Sequence, residues 1–106
     1  MSRTDNLRLL DIIDASSEVA AIGADGQDAH LASAVSKRAI ERLLEIIGEA
    51  ANLLSDETRS SFPDVEWRDI TNLRILLAHH YFRVDEEQTW VIASVSVPDL
   101  ASKLQS

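Results

Sequence analysis

The sequence has no cysteine. That absence excludes a disulfide scaffold, a thiolate zinc site and a cysteine nucleophile together. Three glycines and two prolines in 106 residues are too few for a collagen-like or low-complexity chain. No glycine-rich run precedes a Lys-Ser or Lys-Thr pair, and no Gly-x-Ser-x-Gly elbow occurs, so a phosphate loop and a hydrolase nucleophile turn are both missing. Long apolar runs are missing as well. No stretch approaches the roughly 20 apolar residues of a membrane span, and MSRTDNLRLLDIID meets acids before any apolar run of signal-peptide length. The expectation is a soluble, cytoplasmic protein with no membrane partner. Basic charge is scarce: 10 Lys and Arg stand against 18 Asp and Glu, a net charge of -8. Affinity for phosphates needs clustered cations that displace counterions, so this balance predicts weak general attraction to nucleic acid.

What is present is 45% hydrophobic residues arranged with helical periodicity. The length suits one domain over residues 1–106 with one modest core. From about Asn6 to Ile22, Leu9, Ile12, Ile13, Ser16, Val19 and Ala20 recur at helical spacing, and Gly23-Ala24-Asp25-Gly26 supplies stop and turn chemistry. A second helix is predicted from about Asp28 to Leu53. Its apolar positions Leu31, Val35, Ala39, Leu43, Ile46, Ala50 and Leu53 run for about seven turns, some 38 Å. Gly48 inside it costs about 1 kcal/mol relative to Ala. Close approach of another helix would explain its presence, as would access of a ligand or second subunit to the backbone.

Ser55 to Asp64 reads as a loop, with Asp64 as the N-cap of a third helix carrying Trp67, Ile70, Leu73, Leu77 and Ala78. A fourth helix opens at Asp85 and continues through Trp90, Val91 and Val95. Pro98 is expected to break the chain before a short terminal helix with Leu100 and Leu104. The run 91–97 gives only a weak strand signal and is read as helix. The predicted fold is all-α, an antiparallel bundle of four main helices plus a short C-terminal one.

Most of the chemistry-bearing residues lie in one stretch, Arg74-Ile75-Leu76-Leu77-Ala78-His79-His80-Tyr81-Phe82-Arg83. Histidine exchanges protons near neutral pH, and arginine is a permanent planar cation suited to phosphate. One imidazole and one guanidinium together could cleave a phosphodiester, by acid-base catalysis and by stabilising charge on the phosphoryl oxygens. Read on composition alone, the same residues also fit helix-end packing and a bundle salt bridge. His79, His80 and Asp85 make a poor metal set, because adjacent histidines on a helix point apart. Glu41, Glu45 and Glu49, interleaved with Lys37, Arg38 and Arg42, read as pairing on a helix surface. His30 stands alone with no catalytic role.

Four segments in order carry a resemblance: Ile47-Gly48-Glu49-Ala50-Ala51-Asn52, then Pro63-Asp64-Val65-Glu66-Trp67, then the R-x4-H-x-Y arrangement of Arg74, His79 and Tyr81, then Phe82-Arg83-Val84-Asp85. Over nearly its whole length the chain resembles the HepT-like ribonuclease toxins of the HEPN superfamily. The resemblance implies a helical bundle forming a homodimer. It implies a metal-independent endoribonuclease needing no cofactor, acting on an RNA substrate. It also implies a minimal nucleotidyltransferase (MNT) as antitoxin partner, the arrangement of a type VII toxin-antitoxin system. Arg74 and His79 fall on the family's catalytic positions, and Tyr81 falls on the tyrosine that the antitoxin modifies with AMP in some members. His80 and Arg83 are possible auxiliary groups.

On an unbroken helix Arg74 and His79 would diverge by about 140°, whereas Arg74 and Tyr81 would share a face. Either the helix ends before His79 or residues from two subunits combine. The sequence departs from the family at Ile75, where a polar residue is usual, and at His80, where a small one is. Those departures keep open an alternative, a non-catalytic binding subunit of a minimal nucleotidyltransferase, and beyond it a purely structural dimeric module.

Overall fold

The computed structural model describes residues 2–78 and 85–105. Seven α-helices are found among them: α1 (Arg3–Ile22), α2 (Gln27–Leu31), α3 (Ala34–Leu53), α4 (Asp56–Ser60), α5 (Trp67–Ala78), α6 (Glu86–Val91) and α7 (Val97–Gln105). No strand occurs among the described residues, and none of their helices is long and apolar enough to cross a membrane. The fold is all-α, as the periodicity predicts.

Four contacts fix the topology. Asp5 near the start of α1 bonds Ser55, just past the end of α3. Gly23 after α1 lies under the Trp90 ring of α6. Lys37 at the start of α3 pairs with Glu86 at the start of α6, at 3.0 Å. Trp67, opening α5, donates its indole N–H to the Arg59 carbonyl in α4. The chain therefore runs up α1, down α3, up α5 and down α6–α7, with α2 and α4 as one-turn connectors. The core lies between these rods, on Ile12 and Val19 of α1, Ile40, Leu44 and Ile47 of α3, Leu73 of α5, and Val97 and Leu100 of α7.

The structure corrects several details. The helix expected from Asp28 to Leu53 is two helices, broken at Ala32–Ser33. Ser33 adopts extended backbone (φ -114°, ψ 110°) and its hydroxyl accepts the Ser36 N–H, which starts α3 afresh. Val35, expected on the apolar stripe, is 81% exposed. The Ser55–Asp64 loop contains α4, capped by the Ser55 hydroxyl on the Thr58 N–H. Asp64 does not cap α5, because the first helical carbonyl is that of Glu66, bonded to the Ile70 N–H.

Pro98 does not break the C-terminal helix. Residues Ile92–Ser96 widen into a π-helical turn in which the Val97 N–H reaches back five residues to the Ile92 carbonyl. In a regular α-helix the proline ring would strike the carbonyl four residues earlier. A widened turn moves that carbonyl aside, so α6, the π turn and α7 form one rod.

Candidate functional site

Of the residues singled out from the sequence, the structure places Arg74, and with it Ile75. His79, His80, Tyr81 and Arg83 lie outside the described residues. The described chain leaves at Ala78, the last residue of α5, and returns at Asp85, whose carboxylate accepts the Gln88 N–H and caps α6. With one oxygen occupied as a helix cap, Asp85 has a structural task apart from metal ligation.

Arg74 sits on the final turns of α5, half-buried. Its Nε is buried and has no hydrogen-bond partner among the described residues. The cations of α3 and α7 are engaged, whereas Arg3, Arg8 and Arg68, like Arg74, have no ion pair among the described residues. Arg38 pairs with Glu41 and Arg42 with Glu45 on α3, the surface pairing expected of that run. Lys37 instead crosses to Glu86 on α6, and Lys103 pairs with Asp99. Arg8 and Arg59 also carry an unpartnered buried Nε, but Arg59 bonds the Leu54 carbonyl through another nitrogen. A buried N–H donor without an acceptor costs about 1–3 kcal/mol.

The backbone beneath Arg74 is set by Gly48. A Cβ on Gly48 would lie 2.6 Å from the Arg74 backbone nitrogen and 3.2 Å from both the Ile70 carbonyl oxygen and the Leu73 Cβ. Of the two explanations for this glycine, close approach of another helix is the one observed. The sequence pointed to the glycine but not to what faces it. That could have been sought by asking which helical residue of the later motif stands opposite.

His30 is not alone. It is 3% exposed, its Nδ1 lies 2.8 Å from the Ser36 hydroxyl and its ring lies 5.1 Å from that of Trp90. Burial, with the Lys37 charge, lowers its pKa from 6.5, outweighing the opposing effect of Glu86 and Glu41. A neutral imidazole packed between α2, α3 and α6 is a structural element of the bundle end at which α5 stops and α6 starts.

An open groove of about 360 Å³ separates α5 from α6–α7, lined by Asp69, Asn72, Leu76, Gln88, Ile92 and Ser96 among others. Asn72 and Leu76 are roughly 160–200° around α5 from Arg74 at 100° per residue, so groove and guanidinium lie on different sides of the helix.

Fold and site together define a four-rod all-α bundle in which α5 carries, near one end, an arginine with no ion pair among the described residues, a few positions in sequence before two histidines and a tyrosine. The comparisons make the kinship specific. The chain belongs to the Ribonuclease HepT-like family, whose model matches residues 11–106. It is 31% identical over 98 residues to the Methanocaldococcus jannaschii protein named "Putative RNase MJ1380", covering 92% of this chain and 90% of that one. It is 34% identical over 67 residues to the Thermococcus cleftensis protein named "Probable ribonuclease HepT", covering 63% of this chain and 61% of that one. No solved structure matches.

Proposed function

We propose that this chain is the toxin of a type VII toxin-antitoxin pair, a metal-independent endoribonuclease that works as a homodimer. The observation that carries the reading is Arg74, half-buried, with its Nε unpartnered among the described residues, on a chain whose family is named for ribonuclease activity. In the proposed reaction a ribose 2′-hydroxyl attacks the adjacent phosphorus. Its proton leaves to a base, the bond to the 5′-oxygen breaks, and that oxygen takes up a proton. His79 moves these protons, and Arg74 steadies the pentacoordinate phosphate. Because an uninterrupted α5 would turn His79 away from Arg74, a site combining residues of two subunits accommodates both groups.

The proposed partner is a minimal nucleotidyltransferase that acts as antitoxin by placing AMP on Tyr81. Each AMP adds a phosphodiester anion beside the groups that must attract an RNA phosphate, so repulsion and occlusion both silence the site.

Incubating the purified chain with RNA and EDTA tests the reading. Cleavage should persist in EDTA and fall to a small residual rate in Arg74→Ala and His79→Ala. A dimer that leaves RNA uncut, from a gene harmless on induction, would overturn it in favour of a non-catalytic partner of a nucleotidyltransferase.

A further inference from the structure

The geometry points to Gly48 as the positioning residue of the site: by bringing the α3 backbone against α5 at Arg74, it sets where the guanidinium stands. The inference rests on the ribonuclease reading for its catalytic consequence, but its structural half stands on separate observations. The atom nearest to a Gly48 Cβ is a backbone nitrogen of Arg74, at 2.6 Å, closer than real Cβ atoms approach. No side-chain rotation relieves that contact, because the obstructing atoms at Arg74 and Ile70 are main chain. Any side chain at position 48 must therefore push α3 and α5 apart where Arg74 is attached.

The neighbourhood offers little slack. Gly48 itself is buried, Ile47 and Ala51 are wholly buried on α3, and Leu73, next to Arg74, is 6% exposed. A tightly filled interior passes a local displacement on to the attached side chains rather than absorbing it. Arg74 is open to such a displacement, because no carboxylate among the described residues holds it. Catalytic groups are sensitive on this scale, since misplacement by about 1 Å from a distant substitution can cost about 100-fold in rate.

Gly48→Ala should lower kcat per folded molecule by about 10- to 100-fold with KM nearly unchanged, because the arginine keeps its charge but leaves its place. Ile12→Val, a core truncation on α1 with its own fall in Tm, controls for general destabilisation and should leave kcat as it is. In an Arg74→Ala background, adding Gly48→Ala should have no further effect on the residual rate, since residues acting through one group are not additive. Equal kcat in wild type and Gly48→Ala, or an undiminished effect of Gly48→Ala without Arg74, would overturn the inference. The backbone amide and Nε–H resonances of Arg74 read the placement without activity. They should shift in Gly48→Ala more than those of α1, and if they do not, Gly48 does not position Arg74. If the wild-type chain cuts no RNA, the ribonuclease reading fails by itself while these resonances still decide the placement.

Discussion

Arg74 and a lysine in its place would carry the same charge but would not do the same work. Guanidinium presents a rigid planar fork to two phosphoryl oxygens, whereas ammonium offers one mobile point charge. On the proposed function, Arg74→Lys should lower kcat by about 10²–10³, the usual cost of losing one transition-state donor. A rate within threefold of wild type would show that charge alone suffices. Tyr81→Phe makes the complementary case: cleavage should remain, and co-expression with the nucleotidyltransferase should no longer suppress toxicity. Intact mass showing no AMP adduct on the wild-type chain would sink that idea. His30 bears on stability. Its folded pKa lies below 6.5, chiefly through burial, so the unfolded chain binds the proton more readily. Stability is then complete above about pH 6.5 and declines as the pH falls from there towards the depressed folded value. Tm measured at pH 7.5 and 5.5 should differ less in His30→Gln than in wild type, and an unchanged difference would exclude His30 as a source.

At the level of elements, caps decide more than propensity does. Ser33→Ala removes the acceptor of the Ser36 N–H at the start of α3 and should cost about 1 kcal/mol, read as a lower midpoint in urea at constant m-value. An unchanged midpoint would mean that core packing alone sets where α3 begins. The same serine shows what the sequence conceals. Leu31 and Val35 are four apart and look like one continuous stripe, yet one is half-buried and the other faces solvent. Periodicity registers spacing; it does not register a cap that restarts the helix. Asp85 was legible because a carboxylate directly before two glutamates reads as a helix cap more readily than as a metal ligand. Asp64 was not, because Pro63 starts a turn that delays α5 until Trp67. Pro98 was misread for a further reason: the rule that proline ends a helix assumes α spacing upstream, and the π turn alters that spacing. As for the site, motif and resemblance together named Arg74, and only packing revealed that Gly48 lies beneath it.

For the molecule as a whole, the net charge of -8 weighs less than where cations remain available. Arg38, Arg42, Lys37 and Lys103 are engaged by acids, while Arg3 and Arg8 on α1 and Arg68 and Arg74 on α5 have no ion pair among the described residues. RNA binding should therefore involve few phosphates. Between 50 and 200 mM salt the affinity of the proposed dimer should fall by about 100-fold or less, short of the roughly 10³–10⁵ of proteins that make six to ten phosphate contacts. A steeper slope would mean that the bundle presents a broader basic surface than these residues supply.

The bundle is closed at its other end by Asp5, which accepts hydrogen bonds from the Ser55 and Thr58 hydroxyls, each at 2.6 Å, and from the Ser55 N–H at 3.3 Å. Those bonds, the Ser55 hydroxyl foremost, lower its pKa from 3.8. Its contribution is therefore present above about pH 4 and is lost as acid carries the pH through the folded value. The family match begins at residue 11, six positions after this carboxylate. A chain trimmed to that stretch would keep the whole family match and still lose the clasp joining its first helix to α4. Kinship and cohesion thus mark out different lengths of the same polypeptide, and the shorter of the two should melt earlier and tolerate acid no better for having shed a carboxylate.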